Sequence, residues 1–293
     1  MWRALKSWKG SLVILLLVVM VVGAIGALST RRALETAEAL RFRRMLVNRL
    51  GEEDAFRFFF ATNRELVAEG DDLQDRFGAS IDKLQLGYFD SRIEPALGLG
   101  MLVNTTDWFQ NEEIRLQQVA VTQREDFVAQ LRAQVDKAPA RSLMLSVNGF
   151  REQFPSALRK TAFLAHVLDI DSPHLVFDWP GNQGSTPRGY RAAQRVARNS
   201  AVHLADLIRL VVDEVNPDQL WILANSMGGE VVVNAFHELY KRSDWADVEQ
   251  EVDHVFLTAP DVSYGEFGDQ FGREIMALAE DMTVYVSSND RAL

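Results

Sequence analysis

The 293-residue sequence contains no cysteine. This absence excludes disulfide scaffolds, thiolate metal sites and cysteine nucleophiles together. It does not identify the compartment, because a cysteine-free protein is compatible with oxidising and reducing environments. No glycine-rich loop with a lysine follows a first strand, which disfavours a nucleotide-binding protein. We therefore predict neither a metal nor a cofactor.

Outside the first 50 residues, acidic side chains outnumber basic ones. The formal net charge of −10 divides into +7 for residues 1–50 and −17 for the remainder. With 47% hydrophobic residues, the composition argues against a disordered chain. An acidic body also argues against nucleic acid as the main partner.

The only long hydrophobic run lies near the amino terminus. Residues 10–30 are 21 positions without a charge, and Leu12 to Leu28 is unbroken apolar, Gly or Ala. A helix needs roughly 17–25 apolar residues to span a bilayer, so residues 1–30 are predicted to be a basic tail and a transmembrane anchor. A cleaved signal peptide is the alternative. Residues 31–55 are predicted to form a juxtamembrane helix, with the body on the extracytoplasmic side because long domains translocate largely regardless of charge.

Residues 56–293 are typical of one α/β domain, with a β-rich lead-in (56–121) and a parallel core (122–293). In the core, short apolar strands alternate with helices of ten or more residues, which predicts a mostly parallel sheet covered by helices on both faces. The predicted strands cover 56–61, 85–89, 114–121, 143–147, 175–177, 220–223, 255–257 and 283–286, and the predicted helices cover 125–137, 155–168, 190–215, 229–240 and 267–280.

Polar residues follow nearly every predicted core strand. Ligands of open α/β sheets bind at the carboxyl ends of the strands, so these residues are expected to gather at one edge. Those that could line a site are Asn148, Gly149, Asp178, Trp179, Asn225 and Asp261.

The most informative segment is an apolar strand that runs into a helix through Ser226. Ala224 and Gly228 flank the serine at −2 and +2, as a strained nucleophile elbow requires. This turn would aim the Met227 N–H at an oxyanion, and the Phe150 N–H would supply a second donor. The alternative is that Ser226 merely caps the helix.

These segments resemble uncharacterised bacterial α/β-hydrolases of the esterase/lipase superfamily, which carry an F-A-T-N-R lead-in and an S-S-N-D-R-A-L ending. The matching pieces are Phe59 to Arg64, Val147 to Phe150, Phe177 to Pro180, Ala224 to Gly228, Ala259 to Val262 and Tyr285 to Leu293. The resemblance implies a serine hydrolase with Ser226 as nucleophile and Asp290 as the acid that orients a histidine. Asp261 is the alternative acid, or else a helix N-cap.

The sequence departs from this family in its histidines. Asn148 and Asn225 stand where the family usually has histidine, and an amide keeps the hydrogen bonding but not the titratable group. The chain order is normally serine, acid, histidine, yet no histidine follows Asp290. We therefore expect the sequence to end before its histidine, one strand and one helix short of the full fold.

Two functions follow from these observations. The first is a membrane-anchored serine hydrolase, esterase- or lipase-like, that attacks an ester-containing small molecule or lipid through an acyl-enzyme on Ser226. The second is a catalytically impaired hydrolase-like module that binds a partner at the membrane.

Overall fold

The computed structural model describes residues 45–51, 55–67, 76–93, 114–168, 170–242 and 250–286. The predicted transmembrane segment 10–30 and Asp290 lie outside these residues. Among the residues that are described, no helix is both long and apolar enough to cross a bilayer.

Eight strands form a single sheet in the order β3-β2-β1-β5-β4-β6-β7-β8. From β4 to β8 all neighbours are parallel, and β1 pairs parallel with β5. Strand β2 runs antiparallel to both of its neighbours, β1 and β3. The predicted mostly parallel α/β sheet is confirmed. The strands are β1 (Ala55–Leu66), β2 (Phe77–Ile93), β3 (Ile114–Thr122), β4 (Ser142–Val147), β5 (His174–Asp178), β6 (Gln219–Asn225), β7 (Val252–Thr258) and β8 (Ala279–Tyr285).

Helices connect the parallel strands, as right-handed crossover units require. They are α1 (Arg124–Val135), α2 (Phe154–Leu168), α3 (Pro187–Leu210), α4 (Met227–Tyr240), the single turn α5 (Tyr264–Glu266) and α6 (Gly272–Leu278). The π-helical turn Val211–Val215 continues α3, and a second one, Phe267–Phe271, joins α5 to α6.

The aromatic strand β1 has both faces buried. Phe58 and Phe60 pack in an apolar cluster with α2, whereas Phe59 and Ala61 belong to a second cluster that includes α1 and α3. Successive side chains of a strand point to opposite faces, so this alternation shows that helices cover the sheet on both sides.

Several element boundaries differ from the sequence prediction. Strand β2 is 17 residues long, because the polar first half of the strand pairs with the end of β1 and does not need an apolar face. The predicted helix 267–280 ends at Leu278, and Glu280 lies in β8. The described part of the predicted juxtamembrane helix is a turn that leads to a bridge between Arg49 and Phe56.

The sheet order predicts a ligand crevice beside β4. The chain passes from β4 to β5 on one side and then crosses to β6 on the other side. At such a switch point the loops after the two strands diverge and leave a crevice at their carboxyl ends. The loops after β4 and β6 are those that carry Phe150 and Ser226.

Candidate active site

Ser226 occupies a strained turn between β6 and α4. Its backbone has φ 51° and ψ −126°, a conformation that non-glycine residues adopt only when the surrounding structure enforces it. Three backbone hydrogen bonds do so here: the Ser226 N–H donates to the Thr258 carbonyl at 2.9 Å, and the Ser226 carbonyl accepts from Gly229 at 2.9 Å and from Asp261 at 3.1 Å.

The side chain of Ser226 does not cap α4, because it accepts no hydrogen bond from the first turn of the helix. Among the described residues, no partner is found for its hydroxyl. The residue is half-buried. The capping interpretation of Ser226 is therefore wrong, and the hydroxyl is free to meet a ligand.

Two glycines lie in close packing at this turn. A Cβ on Gly228 would lie 2.5 Å from the Val147 carbonyl oxygen, and a Cβ on Gly149 would lie 3.0 Å from the Ser226 Cβ. The backbone at the end of β4 therefore leaves room only for glycine at position 228. The second contact places the loop after β4 (residues 148–152, the β4 loop) directly against the serine.

Two backbone N–H groups belong to residues next to the serine turn. Met227 begins α4, and the first N–H groups of a helix have no intrahelical acceptor. Phe150 follows Gly149 in the β4 loop. Neither N–H has an acceptor among the described residues. Free N–H groups at a helix start, beside a serine hydroxyl, can stabilise a negatively charged oxygen.

Asp261 lies behind the turn, after β7, and it receives a hydrogen bond from the Tyr190 hydroxyl. Burial, followed by the hydrogen bond to Asp261, raises the pKa of Tyr190 above its ordinary value, so the phenol stays protonated near neutral pH. The Tyr190 ring contacts the Phe150 ring edge-on, with centroids 5.4 Å apart. The alternative interpretation of Asp261 as a helix N-cap is wrong, because Ser263 caps α5 by accepting a hydrogen bond from the Glu266 N–H.

All five histidines are described, and none of them bonds to Ser226. His166 lies in the last turn of α2. Each of the other four has a different partner. His174 Nδ1 lies 2.8 Å from the Ser172 carbonyl, and His203 Nδ1 lies 3.2 Å from Asn63 Nδ2. His237 Nδ1 lies 2.9 Å from both Glu274 oxygens, and His254 Nε2 lies 2.7 Å from Thr283 Oγ1. His174 is fully buried at the amino end of β5, and burial lowers its pKa to about 4.

The two asparagines that replace family histidines differ in their surroundings. Asn225 is exposed beside the serine, and its Nδ2 lies 3.2 Å from Thr258 Oγ1. Asn148 is half-buried and donates to the Ala157 carbonyl at 3.4 Å. Asn225 is thus available to a ligand, while Asn148 ties the β4 loop to α2.

Asp178 and Trp179 do not line the crevice, contrary to the sequence prediction. They are 1% and 2% exposed, because Asp178 pairs with the buried Arg64 at 2.6 Å and the Trp179 indole donates to the Asn148 carbonyl at 2.8 Å. Burial raises the pKa of Asp178, and Arg64 and Thr62 act in the opposite direction. Sequence reasoning missed the role of Arg64; the signal was a charged side chain that continues an apolar strand.

Among the described residues, no cluster of three or more His, Asp or Glu side chains could hold a metal ion.

The model of the family described as "Alpha/beta hydrolase of unknown function (DUF900)" matches residues 123–293, which include β4 to β8, Ser226 and the β4 loop. No curated protein matches the chain.

Proposed function

Because this chain belongs to the α/β-hydrolase family of unknown function that matches residues 123–293, we propose that it is a serine hydrolase. Ser226 is the nucleophile. The observation that carries the proposal is the strained backbone of Ser226, φ 51°, combined with a hydroxyl that no described residue binds. Strain of this kind persists where function requires a side chain to project from a sharp turn.

The reaction is acyl transfer in two steps. The Ser226 oxygen attacks an ester carbonyl, the alcohol leaves with a proton, and water then hydrolyses the acyl-enzyme to release the acid. The Phe150 and Met227 N–H groups bind the oxyanion of each tetrahedral intermediate. Removal of one such donor typically lowers kcat by about 100- to 1,000-fold. The substrate class is an ester-containing small molecule or lipid.

The mechanism also requires an acid and a base. Asp290, the acid implied by the family resemblance, lies outside the described residues, and Asp261 is the alternative beside Ser226. None of the histidines of the chain bonds to the serine. Without a base, the serine hydroxyl stays protonated and is a weak nucleophile near neutral pH.

A fluorophosphonate probe tests the proposal, because it reacts only with an activated serine. The full chain is expected to be labelled, with the adduct on the peptide that contains Ser226, and Ser226→Ala is expected to abolish labelling. A wild-type chain that stays unlabelled, while a control esterase reacts under the same conditions, would overturn it.

A second function is favoured by the absence of a histidine next to Ser226. In this case the fold is a catalytically impaired module that binds a protein partner at the membrane. This function predicts that the Ser226→Ala variant fully complements a deletion strain. Failure of Ser226→Ala to complement, with normal protein levels, would reject it.

Membrane anchoring is a separate part of the proposal, supported by the uncharged residues 10–30 and by their length. The full chain is expected to stay in the membrane fraction after alkaline carbonate extraction, and deletion of residues 1–30 is expected to release it. Protease accessibility of the body from the periplasmic side tests the extracytoplasmic orientation. Release of the full chain by carbonate would contradict the anchor.

A further inference from the structure

Arg64 forms no hydrogen bond with Ser226, yet it is the largest charged side chain that is fully buried in the described structure. It lies at the end of β1, within the F-A-T-N-R segment of the sequence. A buried charge is unfavourable unless it is paired and hydrogen-bonded. The partners of Arg64 therefore indicate its function.

The guanidinium of Arg64 makes six hydrogen bonds, and three of them reach the loops after β4 and β5. Its acceptors are both Asp178 oxygens (2.6 and 3.2 Å), the Trp179 carbonyl (2.7 Å), the Asn182 side chain (2.7 Å), the Glu152 carbonyl (2.8 Å) and the Gly78 carbonyl (3.1 Å). Glu152 ends the β4 loop, and residues 179–183 are termed the β5 loop here. One side chain thus joins the two loops.

Further contacts tie the β4 loop to the β5 loop on both sides of Phe150. The Trp179 indole donates to the Asn148 carbonyl at 2.8 Å, and the Arg151 N–H donates to the Gly181 carbonyl at 3.1 Å. Arg151 has φ 69°, so the loop is held in a conformation that it would not adopt alone. Phe150, which carries the oxyanion donor, lies between these ties.

We propose that Arg64, with Asp178 as its counter-charge, is a positioning residue that fixes the Phe150 N–H against Ser226. The inference deepens the proposed function and rests on it for its kinetic test. It also assigns a role to the F-A-T-N-R segment: Thr62 donates to Asp178 at 2.8 Å, and Arg64 spans from Asp178 to Glu152.

The chemistry of this position favours arginine over lysine. A planar guanidinium presents five N–H donors in a fixed fork, whereas an ammonium presents three on a flexible stem. Arg64→Lys keeps the positive charge beside Asp178 but cannot reach Asp178, Trp179 and Glu152 together. It is preferable to Arg64→Ala, which would leave the Asp178 carboxylate buried without a counter-charge and endanger folding.

The matched control is Arg57→Lys in the same strand. Arg57 also forms a two-bond ion pair, with Asp90 at 2.8 and 2.9 Å, but that pair joins β1 to β2 and touches neither loop. The fluorophosphonate labelling rate of Ser226 is expected to fall about 10- to 100-fold in Arg64→Lys, in line with misplacement of a reacting group, and to stay within about 2-fold in Arg57→Lys.

Hydrogen–deuterium exchange provides a readout that needs no activity. In Arg64→Lys, amides of residues 148–152 are expected to exchange at least about 10-fold faster, while the β6 peptide 219–225 keeps its protection. Unchanged exchange in the β4 loop would overturn the inference, and so would an equal effect of Arg57→Lys. If the wild-type chain is not labelled, the proposed function fails, but the exchange experiment still decides whether Arg64 positions the loop.

Discussion

The carboxyl edge of the sheet and its amino edge carry different kinds of polar group. At the carboxyl edge, the Ser226 hydroxyl and the Phe150 and Met227 N–H groups have no partner among the described residues. At the amino edge, the fully buried His174 bonds to the Ser172 carbonyl and packs edge-on to Phe58. The unpaired groups of the carboxyl edge lie at a half-buried turn, whereas the imidazole at the amino edge is enclosed in the core, where its Nε2 has no hydrogen-bond partner among the described residues.

The largest expected effect comes from Gly228→Ala, which tests how tightly the carboxyl edge is built. Its Cβ would lie 2.5 Å from one backbone carbonyl and 2.8 Å from the next, so α4 must move away from β4. We expect a loss of about 3 kcal/mol of unfolding free energy, measured by urea denaturation, together with loss of serine labelling.

Gly265→Ala is the control for this substitution, since nothing lies within 4 Å of a Cβ at that position. It should change stability by less than about 0.5 kcal/mol. If Gly228→Ala were as stable as Gly265→Ala, the close packing of the serine turn would be refuted.

The pH dependence of stability tests the burial of His174 at the amino edge. Its pKa is about 4 in the folded chain and about 6.5 when unfolded. The contribution of His174 to the free energy of unfolding is fully present above pH 6.5 and falls as the pH drops towards 4, because the unfolded chain binds a proton that the folded chain does not bind. We expect His174 to account for a loss of up to about 3 kcal/mol between pH 7 and pH 4.

Urea denaturation of His174→Gln across this range should remove that part of the pH dependence. His254→Gln, at a half-buried histidine of β7, should retain it. A pH dependence that is identical in wild type and His174→Gln would mean that His174 is not buried as a neutral group.

Ser226→Gly measures the strain at the carboxyl edge. Glycine tolerates positive φ without steric penalty, and residues held in such regions cost about 1–3 kcal/mol each. We expect Ser226→Gly to be more stable than wild type by about 1 kcal/mol in thermal or urea unfolding. Lower stability in Ser226→Gly than in wild type is the result that a helix-capping serine would give.

The smallest effect is expected from Tyr190→Phe. Because the pKa of Tyr190 is raised in the folded chain, its contribution to stability is present below the unfolded pKa of about 10 and declines above it. Tyr190→Phe should therefore weaken the loss of stability above pH 10 and leave serine labelling nearly unchanged. Tyr240→Phe, at an exposed tyrosine, is the control and should behave as wild type.

The order of strands and helices and the position of Ser226 could be predicted because both are local signals. Apolar runs of four to eight residues mark strands, and the spacing of Ala224, Ser226 and Gly228 describes a single turn. The fold class was predictable for the same reason.

The support of the site was not predictable from the sequence, because it depends on distant pairs. Arg64 and Asp178 are 114 residues apart, and Tyr190 and Asp261 are 71 residues apart. Position after a strand indicated that Asp178 would face the crevice, but only the packing of β1 beside β5 reveals that its carboxylate points to Arg64. A local pattern cannot distinguish these outcomes.

The Arg64–Asp178 pair also has a kinetic consequence. Contacts between residues distant in sequence form late, because loop closure is entropically unfavourable until other contacts support it. Since β1 must wait for β5 before Arg64 finds its partner, the β4 loop is expected to be among the last parts of the molecule to settle during folding. A nascent chain would then acquire the parallel strands β4 to β8 first, and the geometry around Ser226 only after β1 has docked against β5.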